Sequence, residues 1–496
     1  MQIFLSNHIF AYEIESLCRM FFPAEDICVL EETSPSDTQL EEFYLSVTIE
    51  ELAEEAAISL QVSHLAEEYK ASCAVPKNSP NFEHECVISA AVELYRIFES
   101  ITGFAPKWGV LTGVRPVKLM RTMAEQLGEG DAGRIFQEKY LVSKAKTELA
   151  LKTLAPEQQI IAASNNKSYS LYIAIPFCPS RCSYCSFVSQ SITNSNAKKL
   201  VEPYLENLFK ELAHTAKIAQ ELGLKLETVY IGGGTPTVLS AEQLKRLLAV
   251  VNACFETSTL REFTVEAGRP DTITLDKLEA IKAGGVGRIS VNPQSFNNAV
   301  LQVIGRKHSA EEAITALELA KSVGFTNINT DLIAGLPQDT LESFRHSIDT
   351  AISLNPESIT VHTLAIKRAS GLVYSNQAEY NAEGIMVADM LDYSGEKLTA
   401  AGYLPYYLYR QSKTLGNLEN VGWSKQGFEG FYNVYIMDET HTILACGAGA
   451  TSKLKQAQGT RIERIFNYKY PYEYNSRFDE ILNRKGKVIE FYENLC

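Results

Sequence analysis

From about residue 170 onward, short apolar, β-branched runs alternate with longer stretches whose apolar positions recur every three or four residues. The first pattern predicts strands and the second amphipathic helices. The strand runs are SLYIAIP (170–176), TVYIGGG (228–234), EFTVEAG (262–268), RISVNPQSF (288–296), TNINTDLIAGLP (326–337) and SITVHTLAI (358–366). Helices are predicted near 197–222, 240–254, 275–283, 297–303, 309–323 and 340–354. The strand runs are almost continuously apolar, as expected of parallel strands covered on both faces. The fold class is therefore α/β. Six β–α units predict a partial (β/α)6 barrel, an open relative of the eight-fold form. In such an architecture chemistry gathers at the carboxyl ends of the strands.

The flanks read differently. In residues 1–165, EEFYLSVTIE (41–50) and EEAAISLQVSH (54–64) predict strands, and ECVISAAVELYRIFESITG (85–103) predicts an amphipathic helix. This is an N-terminal α+β domain of unassigned role. The short polar tract Pro156–Ser168 marks the expected boundary, with the barrel over 166–370. Residues 371–496 form a C-terminal α/β extension, expected to cover the substrate, and open with a helix near 376–402.

Composition narrows the class. A chain of 496 residues has room for two or three cores, and 45% hydrophobic with 21% charged content is ordinary for a globular protein. The net charge of −14 argues against a broad nucleic-acid surface. The opening MQIFLSNHIFAYEIES has no basic segment, and acids arrive at Glu13 and Glu15, so no signal peptide is expected. No stretch of 18 apolar residues predicts a membrane span. Seven of the ten cysteines (Cys18, Cys28, Cys73, Cys86, Cys254, Cys446 and Cys496) show no paired spacing, which suits a reducing cytoplasm.

The other three, Cys178, Cys182 and Cys185, stand as C-x3-C-x2-C in IPFCPSRCSYCSF, just after the first strand. Thiolates are soft ligands that hold iron–sulfur clusters. A [4Fe–4S] cube takes four ligands; this loop offers three and leaves one iron open. A closed zinc site also needs four ligands, and the nearest histidine downstream is His214.

Other candidates fall at or just past strand ends. GGGTPT (232–237) brings backbone close to a ligand. Glu266 ends the third strand as an acceptor for hydroxyl or ammonium groups, and Gln294 ends the fourth. Arg306 lies twelve residues on. Asp331 is a charge inside an apolar strand, so it calls for a ligand or an ion-pair partner, for which Arg306 is the candidate. His362 reads as a hydrogen-bonded core residue. Arg115, Lys118 and Arg121, three apart, form either a carboxylate-binding helix face or, the favoured reading, a solvated one.

Together, these residues resemble the radical S-adenosylmethionine (SAM) family of oxygen-independent coproporphyrinogen III oxidases (coproporphyrinogen dehydrogenases). The resemblance rests on Tyr172-x-x-Ile-Pro-Phe-Cys178, Tyr184 within the cysteine loop, GGGTP, VEA, Gln294-Ser-Phe, Gly-Arg306-Lys, DLIAGLP and GAGATS (447–452), and covers roughly 165–455. WGVLTGVRPVKLMR (108–121) and EAGRPDTIT suggest the HemZ-type branch. The resemblance implies Cys178, Cys182 and Cys185 as ligands of a [4Fe–4S] cluster. It implies Tyr172, Gly234, Thr235, Glu266, Gln294, Arg306, Asp331 and Ala365 as SAM contacts, Tyr184 in the cofactor site, and a second SAM beside the first.

The implied reaction uses a 5′-deoxyadenosyl radical to convert two propionates of coproporphyrinogen III into the vinyls of protoporphyrinogen IX, in haem biosynthesis. The implied partners are a tetrapyrrole substrate and a flavodoxin- or ferredoxin-type electron donor. Ser186 and Phe187 follow the third cysteine, as in the haem-chaperone branch of the superfamily. NVGWSKQGFEGFYN (420–433) replaces the histidine–asparagine and tyrosine–tryptophan run usual in the C-terminal part. A haem chaperone, or a radical SAM enzyme acting on RNA or another substrate, thus remain alternatives.

Overall fold

The structure is a computed structural model and describes residues 1–30, 42–187, 189–366, 377–411, 414–456, 459 and 461–494, with side chains left out at 8 and 377–382. It divides into two compact units. The first comprises Met1–Lys152 with later segments ending at Ala388 and Glu419, and the second holds the rest of the described chain.

In the first unit the two predicted strands form an antiparallel pair, Tyr44–Glu51 with Glu55–His64. Alternate residues of Glu55–His64 are buried, as a one-sided sheet requires. The predicted helix is Phe82–Thr102, with Val87, Ala91, Leu94 and Phe98 inside. Three strands escape the sequence pattern and complete a five-stranded sheet: Gln2–Leu5, Cys28–Leu30 and Glu67–Pro76. Glu67–Pro76 is an edge strand and mostly exposed, so it carries no apolar signature. Arg115 and the helix Pro116–Leu127 leave Lys118 and Arg121 partly exposed. Helix Lys144–Ala162 runs through Pro156 and takes in the first part of the tract expected to hold the boundary.

In the second unit, six strands lie side by side in chain order, all parallel. They are β1 (Ser168–Ile175), β2 (Lys225–Gly233), β3 (Glu262–Gly268), β4 (Arg288–Val291), β5 (Ile328–Ala334) and β6 (Ser358–Thr363). The helices between them fall where the periodicity puts them, from Ser195–Glu221 to Leu341–Ser353. Two of those helices, Ala241–Cys254 and Ala310–Ser322, start on serine capping boxes.

One strand is shorter than its pattern. β4 stops at Val291, before Pro293 and a left-handed Gln294 (φ 72°). Gln294 rejoins the sheet through a single bridge to Leu332.

The C-terminal strands extend this same sheet at both edges to eleven strands. Glu419–Ser424 runs antiparallel to β6. Thr442–Cys446 runs parallel to β1 and leads into two antiparallel strands, Thr451–Lys455 and Ile462–Phe466.

A buried ion pair holds that second junction. Lys485 Nζ lies 3.0 Å from Glu211, and both side chains are almost fully buried. Glu211 also accepts from Gly447 N–H (2.8 Å), Asn467 (2.7 Å) and Tyr474 (2.6 Å), so its charge is fully satisfied.

A second device fills the face of the sheet that carries Glu266. Helix Phe431–Asp438 begins on Glu262, whose carboxylate accepts the N–H groups of Phe431 (2.5 Å) and Tyr432 (3.4 Å). Its Tyr432 ring stacks on Tyr230 of β2 (4.4 Å, 21°) and Tyr172 of β1 (6.1 Å, 14°).

Candidate functional site for an iron–sulfur cluster and SAM

The cysteine loop is pinned at its base. After β1, Phe177–Cys178 pairs with Gln190–Ser191. Gln190 N–H donates to Pro176 O (2.9 Å) and Ile192 N–H to Cys178 O (2.9 Å). Within the loop Cys185 N–H reaches Cys182 O at 3.2 Å, and Ser183 N–H reaches Ile304 O at 3.1 Å. All three thiols are free, with Cys182 buried and the other two part-buried. Burial pushes the Cys185 thiol above its ordinary value.

Two of the thiols have a polar neighbour from another strand end. The Thr235 hydroxyl is 3.5 Å from Cys178 Sγ, and Arg269 Nη1 is 3.9 Å from Cys182 Sγ. Arg306 donates to Tyr184 OH (2.8 Å) and Asn292 O (3.1 Å). Its Nε is buried with no hydrogen-bond partner in the structure, a donor that an anionic ligand would satisfy.

Among the described residues no trio of His, Cys, Asp or Glu converges as for a single metal ion. A cube distributes its thiolates over separate irons, so its ligands stand apart. Three free thiols on one loop, with guanidinium groups beside them, therefore fit a thiolate-ligated cluster.

The glycine loop is packed against the cysteine loop. Gly234 N–H donates to Ile175 O and Thr235 N–H to Phe177 O, both at 2.8 Å. A Cβ on Gly234 would collide with the Phe177 carbonyl. A Cβ on Gly232 would fall 2.8 Å from the Glu266 carboxylate. Glycine is required at Gly234, where the obstacle is backbone, while at Gly232 a side chain would displace the Glu266 carboxylate.

Glu266 accepts a 2.5 Å hydrogen bond from Tyr230 OH. Burial raises its pKa to about 7; the Tyr230 bond opposes the rise and the Asp331 charge adds to it. On β5, Asp331 Oδ1 accepts from Asn329 (2.7 Å), and Oδ2 lies 3.8 Å from His362 Nε2 on β6. Burial works against both charges, yet their attraction wins. Asp331 is held below its usual value and His362 above. Gln294 N–H donates to Asp331 O at 3.0 Å, which places its strained backbone beside the pair. Ala365 lies just past β6 and is half-buried.

Several expected residues are thus brought together: Thr235 with Cys178, Tyr184 with Arg306, Gln294 with Asp331, and Tyr172 with Glu266 across Tyr230. One expectation is corrected. Arg306 does not pair with Asp331, because its guanidinium is committed to Tyr184 and Asn292; His362 takes that place. His362 is visible in the sequence as a polar residue within a strand, though not as the partner of Asp331. It alternates with Thr360 on β6 as Asn329 and Asp331 alternate on β5. Arg269 had a legible signal, as a charge between a strand end and Pro270. Tyr432 had none, since it arrives from a distant helix.

The chain is similar to known proteins along much of its length. The Radical SAM superfamily model matches residues 172–351. The "Oxygen-independent coproporphyrinogen-III oxidase-like protein HemZ" of Bacillus subtilis is 39% identical over 401 residues, 79% of each chain. "Heme chaperone HemW" of the same organism is 42% identical over 200 residues, 40% of this chain and 51% of that protein. Among solved structures, the coproporphyrinogen III oxidase HemN of Escherichia coli is similar at 26% identity and a TM-score of 0.49, covering 65% of this chain and 71% of that one. With a relative of that identity across most of both chains, the protein belongs to the HemZ-type branch of the radical SAM oxygen-independent coproporphyrinogen III oxidase family, which uses a [4Fe–4S] cluster and SAM.

Proposed function

We propose that this protein catalyses the oxygen-independent oxidative decarboxylation of coproporphyrinogen III propionates to the vinyl groups of protoporphyrinogen IX, in haem biosynthesis. The observation that carries the reading is the likeness to the oxidase-like HemZ along 79% of the chain. The cysteine loop and the polar strand ends support it.

In this reading Cys178, Cys182 and Cys185 hold the cluster, which when bound supplies the electron that cleaves SAM to a 5′-deoxyadenosyl radical. Arg306, whose Nε is buried without a hydrogen-bond partner, would take the SAM carboxylate. Glu266 takes a cationic or hydroxyl group, and Asp331, fixed by His362 and Asn329, takes hydroxyls. Tyr172, Gly234, Thr235, Gln294 and Ala365 line the same site, with a second SAM beside the first. Tyr432, stacked on Tyr230, would help keep water from the site, where a reactive carbon must meet only its substrate. The protein draws electrons from a flavodoxin- or ferredoxin-type donor and works in the cytoplasm. No helix among the described residues is long and apolar enough to cross a membrane.

A haem chaperone is the second reading. It is favoured by Ser186–Phe187 after the third cysteine and by the 42% identity to heme chaperone HemW. The test is anaerobic. Reconstituted protein is given SAM, dithionite and coproporphyrinogen III, and products are followed by mass spectrometry. Stepwise loss of two carboxyl groups, with matching 5′-deoxyadenosine, is expected. An intact tetrapyrrole together with stoichiometric haem binding would replace the oxidase with the chaperone.

A further inference from the structure

A guanidinium faces the cysteine loop at a position that the expected SAM contacts do not use. Arg269 follows β3 directly and is 3% exposed. Its Nη1 donates to Ser180 Oγ (2.8 Å) and Ser180 O (3.2 Å), and lies 3.9 Å from Cys182 Sγ. Asp271 grips the opposite edge, with Nε to Oδ1 and Nη2 to Oδ2 both at 3.1 Å. This two-point contact fixes the guanidinium plane, so the remaining nitrogen can only face the loop. Pro270 and the bond from Thr272 N–H to Arg269 O (3.0 Å) hold the turn that carries both residues.

The chemistry of this arrangement is specific. A cluster becomes more negative when it takes up an electron. A cation buried at fixed short range from one of its thiolates favours that state. Behind the cation, the Asp271 carboxylate acts with the opposite sign, and His308 Nδ1 stands 3.9 Å from it. We infer that Arg269, oriented by Asp271, is a positioning residue that raises the reduction potential of the cluster held by the loop. The inference rests on Cys178, Cys182 and Cys185 being the ligands.

The test is a redox titration of the full-length, anaerobically reconstituted protein, monitored by electron paramagnetic resonance, with iron content measured in parallel. Arg269→Gln is expected to keep the cluster and to move its midpoint to more negative potential. Arg269→Lys, which keeps the charge, restores most of the shift. Asp271→Asn keeps a hydrogen-bond acceptor for the guanidinium but removes the opposing charge, so its midpoint moves the other way. Should Arg269→Gln fail to retain iron, the signs of the Lys and Asp271→Asn shifts decide. Midpoints equal to wild type, or shifts of the same sign in Arg269→Gln and Asp271→Asn, overturn the inference and leave the cysteine assignment intact. Wild-type protein that takes up no cluster overturns the assignment itself and the inference with it.

Discussion

Asp331 Oδ2 stands 3.8 Å from His362 Nε2 across the seam between β5 and β6. The pair is part-buried, and each partner holds the other charged. The signs define a window. His362 is raised, so its contribution is complete below about pH 6.5 and fades as pH climbs through its folded value. Asp331 is lowered, so its contribution is present above about pH 3.9 and fades as pH falls through its folded value. His362→Ala should therefore cost roughly 1 kcal/mol of stability between those limits. Urea unfolding near the acid end of the window, and again well above it, checks this. The penalty should shrink in alkali, and a constant penalty would remove the ion pair from the account.

Glu266 carries the second pH signature. With its pKa raised to about 7, the folded protein holds a proton that the unfolded chain releases near the ordinary carboxyl value. Stability of the ligand-free protein should fall as pH rises across that interval. A cationic ligand needs the ionised form, so SAM affinity should rise with pH up to about 7 and then level off. Glu266→Gln should flatten the profile and weaken binding about tenfold, or ~1.4 kcal/mol. Calorimetry in buffers of different ionisation enthalpy reads both the affinity and the proton released.

Cys182 is the buried member of the trio, and its replacement by alanine removes one sulfur with little volume. The variant should lose its iron and visible absorption and cease to cleave SAM, with stability changed by no more than about 1 kcal/mol. A Cys182→Ala protein that cleaves SAM at the wild-type rate would falsify the ligand assignment.

Tyr432 is a packing residue with a positional task. Tyr432→Ala empties the space against Tyr172 and Tyr230 and should cost about 3–5 kcal/mol, whereas Tyr432→Phe, which keeps the ring, should cost under about 1. Denaturant midpoints separate the two. Equal destabilisation by both would move the weight from the ring to the hydroxyl.

Much of this architecture is legible from residue order because barrel strands are buried on both faces and declare themselves as apolar runs. Glu262–Gly268 matches its run residue for residue. Edge strands do not declare themselves, so Glu67–Pro76 is silent, and Pro156 reads as a break although it sits inside a helix. In the site, the cysteine loop and glycine loop are local motifs and can be read directly. The partner of Asp331 is not, because adjacency across a sheet depends on register. The sequence alone points to Arg306, whereas the pairing of Ile333 with His362 brings the histidine alongside.

β1 carries the cysteine loop, and both its edges are occupied. β2 follows it closely in sequence, but the other neighbour, Thr442–Cys446, is synthesised some 270 residues later. Until that strand emerges, the segment leading into the cysteine loop has an unpaired edge, and neither Gly447 nor Lys485 has reached Glu211. The support of the cysteine loop thus depends on a segment far along the chain from it. A variant truncated before Thr442 leaves that edge of β1 unpaired and should hold iron less well, which makes cluster retention a report on a sheet edge remote in sequence from the cysteines.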